Sequence, residues 1–155
     1  MNAPPALSRP AGPDEAADIT ALVRAAFARY SPRIGAEPAP MALDWAACIA
    51  AGEVFAIDGP DGGLAAIARL VPEPDALLVD TVAVREDLRG TGLGRALIAL
   101  AEAQARARAL PRLRLYTNVL MHENRALYAR LGFATTAEGG EPPYRRVYME
   151  RAVGA

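Results

Sequence analysis

The apolar positions of this chain change their spacing several times, and each change marks the end of one element and the start of another. Ile19, Leu22, Val23, Ala26 and Phe27 fall at i, i+3, i+4, i+7 and i+8, one face of an amphipathic helix. Its start is predicted at Pro13-Asp14-Glu15, where a proline and two acids suit the positive end of a helix, and it is predicted to run through about Tyr30. A short strand, Leu7 to Arg9, is predicted ahead of it. Pro32, Gly35, Pro38 and Pro40 then predict a stiff loop, followed by a second short helix over Ala42 to Ala50 that ends near Gly52.

Val54 to Ile57 and Leu64 to Val71 are strand-like runs joined by Asp58-Gly59-Pro60-Asp61-Gly62-Gly63, so they predict a hairpin. Leu77 to Val84 is a third apolar run, long enough for a central strand. Helical spacing returns with Leu93, Ala96, Leu97, Leu100 and Ala101 and lasts to about Arg108, ahead of the stop at Pro111. Arg112 to Thr117 alternates charged and apolar residues as a strand does. Asn124, Leu127, Tyr128 and Leu131 mark a short helix that Gly132 ends, and Phe133 to Ala137 with Tyr144 to Glu150 predict a closing strand pair. A meander followed by alternating helices and strands predicts the mixed α/β class, one sheet with helices on both faces.

Composition narrows the chemistry. A chain of 155 residues, 52% of them apolar, can bury one sizeable core, which predicts a single domain over the whole length. Net charge is −1 and the arginines are scattered, so no nucleic-acid footprint is expected. Cys48 has no second cysteine to pair with, no signal-peptide pattern opens the sequence, and no apolar run reaches a bilayer span; a cytoplasmic location without membrane contact is expected. All 17 basic residues are arginine, which excludes Schiff-base lysine and Walker-A chemistry. One histidine and one cysteine do not make a zinc cluster, so no metal is expected, and no Gly-x-Ser-x-Gly turn supports a serine hydrolase.

The segment Val84-Arg85-Glu86-Asp87-Leu88-Arg89-Gly90-Thr91-Gly92-Leu93-Gly94-Arg95 joins a buried strand to the long Ala-rich helix. Glycines let the backbone turn tightly and approach a ligand, and N–H groups at a helix N-terminus favour phosphate. Arg89 and Arg95 add full positive charges. The same segment also reads as a plain strand-to-helix turn without a ligand. A dinucleotide fingerprint loses support, because counting from Gly90 puts Arg95 where its last glycine belongs.

With Arg89, Gly92 and Gly94 in an Arg-x-x-Gly-x-Gly pattern after a strand ending in Val84, the chain resembles the GNAT N-acetyltransferases. Leu113 to Asn118 and Leu127-Tyr128-Ala129-Arg130-Leu131-Gly132-Phe133 extend the resemblance, which covers roughly Leu77 to Phe133. It implies a mostly antiparallel sheet of six to seven strands and acetyl transfer from acetyl-coenzyme A to a primary amine. It further implies that the backbone of Val82, Ala83 and Val84 holds the pantetheine like an added strand, and that Arg89, Gly90, Thr91, Gly92, Leu93, Gly94 and Arg95 take the pyrophosphate, with Asn118 among the residues that touch the coenzyme. Glu86, Leu88 and Met121 depart from the family's usual proline, aromatic and asparagine, and Asn124 is the candidate to bind the coenzyme in place of the asparagine that Met121 replaces.

The resemblance places Tyr128 where the family carries the acid that protonates the departing thiolate; periodicity alone would make it a core tyrosine beside Leu131. Asp80, a charge among Leu78, Val79 and Val82, is the candidate base acting through water, or else the partner of an arginine. Glu53 and Glu141 are weaker candidates, and His122 has no assigned role. For the acceptor, the loops around Tyr30, Arg33, Trp45 and Tyr144 offer a cation for a carboxylate and aromatic cover, although Trp45 could equally pack the core. A small-molecule or peptide amine is the expected partner. The competing function is a coenzyme-A-binding sensor that transfers nothing, and the closing strand Tyr144 to Glu150 could pair across a homodimer.

Overall fold

The computed structural model describes residues 8–154; Leu7, predicted to open the first strand, lies outside them. Seven strands form one sheet: β1 (Ser8–Pro10), β2 (Val54–Asp58), β3 (Leu64–Pro72), β4 (Leu77–Val84), β5 (Arg112–Asn118), β6 (Ala134–Gly139) and β7 (Arg146–Ala152). Their order is β1-β2-β3-β4-β5-β7-β6, antiparallel throughout except for the parallel pair β4 and β5. This is the mixed α/β class with a mostly antiparallel sheet that the sequence predicts.

Helices cover both faces. Along β2, Val54 and Ala56 pack with helix α1 (Ala16–Phe27) and helix α3 (Trp45–Ala50), whereas Phe55 and Ile57 pack with helix α4 (Leu93–Ala107) on the other side. A strand buried on both faces has no polar side to show, which explains the apolar runs Val54 to Ile57 of β2 and Leu64 to Ala68 of β3. Helix α5 (His122–Arg130) contributes Tyr128 to the α4 side, where its ring meets Phe133 edge-on at 5.8 Å between centroids.

Two features of β4 create the site. Opposite β3, Arg69 pairs with Thr81 and Leu70 with Val79, so Asp80 is an extra residue on β4 and forms a β-bulge. The bulge reverses the alternation: Leu77 and Val79 belong to the α4 side, while Ala83, past the bulge, belongs to the α1 side. Opposite β5, pairing covers only Leu77, Leu78 and Val79 against Leu113, Arg114 and Leu115. Beyond that point the two parallel strands separate, and the backbone of Thr81 to Val84 has a strand neighbour on the β3 side alone.

Several boundaries differ from the sequence expectation. Helix α1 stops at Phe27, and part of the predicted proline loop is a further helix, α2 (Tyr30–Ile34), ended by Gly35 at φ 75°. Pro32 is tolerated there because it stands in the first turn, where its missing N–H has no intrahelical acceptor. The helix predicted from Ala42 starts at Trp45 instead, because Asp44 caps it by accepting from the Ala47 N–H at 3.1 Å. Strand β7 begins at Arg146 rather than Tyr144, and it lies between β5 and β6. Pairing of a second copy on the closing strand is therefore corrected: both edges of β7 are occupied, and the sheet ends at β6.

Candidate active site

The loop after β4 builds the first of two clefts. Glu86–Leu88 makes one tight turn, and Arg89 Nη2 donates to the Ala26 carbonyl at 3.2 Å, which fixes the loop to the end of α1. Gly90 and Gly92 then take φ of 77° and 92°, a left-handed backbone that residues with a Cβ enter only at a cost of about 1–2 kcal/mol. Gly94 carries no such backbone demand: a Cβ there would make a single contact, 3.4 Å from Leu127 Cδ2. Helix α4 starts without a side-chain cap. The first N–H groups of any helix lack an intrahelical acceptor, here no side chain caps them, and Leu93, Gly94 and Arg95 line the cleft, a favourable place for an anion.

Val82, Ala83 and Val84 line this cleft, as do Arg89, Gly90, Gly92, Leu93, Gly94 and Arg95. Thr91 is not in the lining; its hydroxyl donates to the Leu88 carbonyl and closes the loop on itself. Arg29, Glu123 and Arg130 complete the rim, residues that no motif in the sequence singles out.

The second cleft opens on the α1 side between the separated strands. It is lined by Asp80, Thr81 and Val82 from β4, Tyr116 to Asn118 from β5, Tyr128 from α5, and Tyr144 and Arg146 from the last hairpin, with Phe27, Ile34 and residues 38–40 as its apolar wall. Phe27, Val82 and Asn124 border both clefts, so the two meet at these residues.

The polar groups here are tightly connected. Asp80, its side chain only 9% exposed, accepts from Arg69 Nη1 at 2.8 Å, from the Thr81 hydroxyl at 3.2 Å and from the Tyr116 hydroxyl at 2.8 Å. Arg69 in turn donates to Glu53 at 3.0 Å. Burial, and then the neighbouring Asp80 carboxylate, push the Tyr116 phenol up to about 12. Tyr128 is buried as well, and its phenol is raised by that burial and secondarily by Tyr30. No hydrogen-bond partner is found for its hydroxyl among the described residues, although it borders the cavity. Asn118 Nδ2 donates to the Pro143 carbonyl at 2.8 Å and its Oδ1 accepts from Leu120 N, so this side chain fastens the last hairpin to β5.

The residues predicted for the two sites separate as follows. Asn118 borders the second cleft, not the glycine-loop cleft, and Asn124 borders both. Of the four residues proposed for the acceptor, Tyr144 lines the second cleft, and its hydroxyl donates to the Glu37 carbonyl at 2.9 Å across the mouth. Tyr30 lines the glycine-loop cleft instead, its ring tilted by 52° against Phe27 and almost fully buried. Arg33 lines neither; it pairs with Glu123 at 2.6 Å, which holds that carboxyl down at about 2. Trp45 is a core residue, 1% exposed, its indole N–H donating to Pro40 O at 3.3 Å. Tyr116 and Arg146 were missed: the alternation of β5 puts Tyr116 on the same side as Asn118, but nothing in the sequence shows that this side faces a cavity.

Comparison with known proteins agrees with this geometry. Residues 19–133 match the "Acetyltransferase (GNAT) family". The N-alpha-acetyltransferase 80 of Mus musculus is 44% identical over 89 residues, which cover 57% of this chain and 26% of that protein; the chain thus spans about a quarter of its relative's length. The fold superposes on PaiA N-acetyltransferase from Thermoplasma acidophilum, solved in complex with coenzyme A, with a TM-score of 0.78 at 13% identity, covering 94% of this chain and 98% of that one. A GNAT-family acetyltransferase from Listeria monocytogenes gives 0.71 at 20% identity, covering 94% of each chain. A bulged strand split from its parallel neighbour, a glycine loop at an uncapped helix and a match over most of the sequence together make this chain a member of the GNAT acetyltransferase family.

Proposed function

We propose that the protein transfers an acetyl group from acetyl-coenzyme A to a primary amine by direct attack on the thioester. The observation that carries this reading is the junction of the two clefts at Phe27, Val82 and Asn124, with the Tyr128 side chain in the wall of the second. In this reading the pyrophosphate occupies the N-terminus of α4, among the N–H groups of Gly92 to Arg95 and the guanidinium groups of Arg89 and Arg95. The pantetheine then runs along Val82 to Val84, whose backbone lacks a strand on that side. An N–H of this segment is available to polarise the thioester carbonyl, an effect often worth a few kcal/mol in acyl transfer.

The amine nitrogen forms a bond to the carbonyl carbon, the carbon–sulfur bond breaks, and the sulfur leaves with a proton. Tyr128 supplies that proton: its raised pKa keeps the phenol protonated at neutral pH, and its hydroxyl is not committed to another residue. The proton that the amine loses goes by way of water to the Asp80 carboxylate. Asp80 is already held by Arg69, Thr81 and Tyr116, so its part is to orient and receive through solvent, not to contact the amine directly. The test is an assay of thiol release with acetyl-coenzyme A and a panel of primary amines, with product mass confirming acetylation. Release that depends on the amine is the expected result. Coenzyme binding without release for any amine would replace this reading with that of a non-transferring coenzyme sensor.

A further inference from the structure

All basic side chains of this protein are arginines, and their partners single out one of them. Among the described residues, fourteen of the 17 donate to a carboxylate, a carbonyl, an amide or a hydroxyl of the protein itself. The other three border one cleft each: Arg95 and Arg130 the glycine-loop cleft, Arg146 the second. Arg95 and Arg130 are exposed, so water satisfies them, and they stand beside the proposed phosphate site. Arg146 differs. It is half-buried, it lines the acceptor cleft, and its guanidinium lies over the Tyr116 ring at 4.2 Å from the centroid.

A half-buried cation without an anionic partner is held at a cost in solvation, and stacking on an aromatic face offsets only part of it. The contact with the ring restrains the guanidinium, and its N–H groups have no protein acceptor among the described residues, so they are available to a bidentate acceptor. Strand register explains the placement: Arg146 is directly opposite Asn118, whose side chain bonds Pro143 and Leu120 and so holds this end of β7 in place. The acid that lines this cleft, Asp80, is already engaged by Arg69 and Tyr116 and forms no ion pair with Arg146.

We infer that the acceptor is an amine that also carries a carboxylate, and that Arg146 is the residue that binds this carboxylate. This inference rests on the acetyl-transfer reading and deepens it. The Tyr144–Glu37 hydrogen bond across the mouth and the wall at residues 38–40 confine the cleft, so the carboxylate belongs either to a free amino acid or to an acidic residue at the very start of a peptide. Both present the same chemistry to Arg146.

The experiment compares acceptors that differ only in charge: free amino acids, aspartate and glutamate among them, against the same amino acids with the α-carboxylate or the side-chain carboxylate converted to an amide, and short peptides beginning with Asp or Glu against those beginning with Asn or Gln. Each is assayed by thiol release, and each carboxylate is also titrated into the protein saturated with coenzyme A. Wild type is expected to favour the carboxylate over the amide at least tenfold in kcat/KM, in the free or the peptide series. Arg146→Gln is expected to raise the KM for the carboxylate at least tenfold and abolish the preference, with acetyl-coenzyme A affinity unchanged within about twofold; Arg146→Lys is expected to restore part of it. Equal use of carboxylate and amide by the wild type, a preference that survives in Arg146→Gln, or no binding of any carboxylate to the coenzyme-loaded protein would overturn the inference. Transfer to uncharged amines with no such preference would overturn it while leaving acetyl transfer intact. Loss of coenzyme binding altogether would instead fall on the underlying reading.

Discussion

Tyr128 is the residue at which sequence and geometry had to be combined. Its helical spacing with Leu131 suits a core position, and the structure does bury its ring against Phe133; yet it lines the second cleft, and its hydroxyl has no protein partner among the described residues. Removing only that hydroxyl is therefore expected to spare the fold and slow turnover. Tyr128→Phe should lower kcat by about 10²–10³ while coenzyme affinity measured by calorimetry stays within about twofold. Asp80 shows the reverse balance, because it is held by three donors. Asp80→Asn is expected to reduce stability by about 1.5–3 kcal/mol in urea unfolding, since Arg69 then keeps only Glu53 as a charged partner. The tyrosines also make a prediction about pH. Tyr116 in the native protein titrates near 12 and Tyr128 is raised too, both above a phenol of the unfolded chain at about 10. The native state then holds protons that the unfolded chain releases, so this contribution to stability is complete below pH ~10 and declines as pH rises from there towards 12. Phenolate absorbance should show two of the five tyrosines ionising late, and the unfolding midpoint should fall over the same interval.

At the scale of elements, the glycine loop and helix α4 were the most legible part of the chain. The reason is physical: a backbone at φ 77° and 92° admits few residues besides glycine, so Gly90 and Gly92 report the loop geometry directly. Gly92→Val is expected to cost about 1–2 kcal/mol in stability, from left-handed strain alone. Helix α4 was legible for a second reason, its apolar face. Leu97 on that face is fully buried, and Leu97→Ala should cost about 2–5 kcal/mol in the same unfolding assay. Elements were misread where local signals compete with tertiary packing. Pro32 reads as a breaker but sits in the first turn of α2, and Trp45 reads as a candidate for substrate although α3 uses it to pack the core. The bulge at Asp80 had no sequence signature beyond a charge in an apolar strand.

For the whole molecule, function follows from where a sheet fails to pair. Strands β4 and β5 share three residue pairs and then part, and the two clefts, which we propose take the acceptor and the coenzyme, meet at Val82 on the unpaired part of β4. Which strands are neighbours is a long-range property, and this is why the sequence pointed to the glycine loop but not to Tyr116 or Arg146. A ligand that fills the opening should tie the two halves of the sheet together. At 100 times its Kd, coenzyme A is expected to add about 2.7 kcal/mol and raise Tm by roughly 5–10 °C. The most direct test of the account is calorimetric titration of the wild type and of Gly92→Val with acetyl-coenzyme A. Saturable one-to-one binding by the wild type, weakened at least tenfold in Gly92→Val, is the predicted result. No binding by the wild type would contradict the account, because the loop at α4 would then be a turn without a ligand.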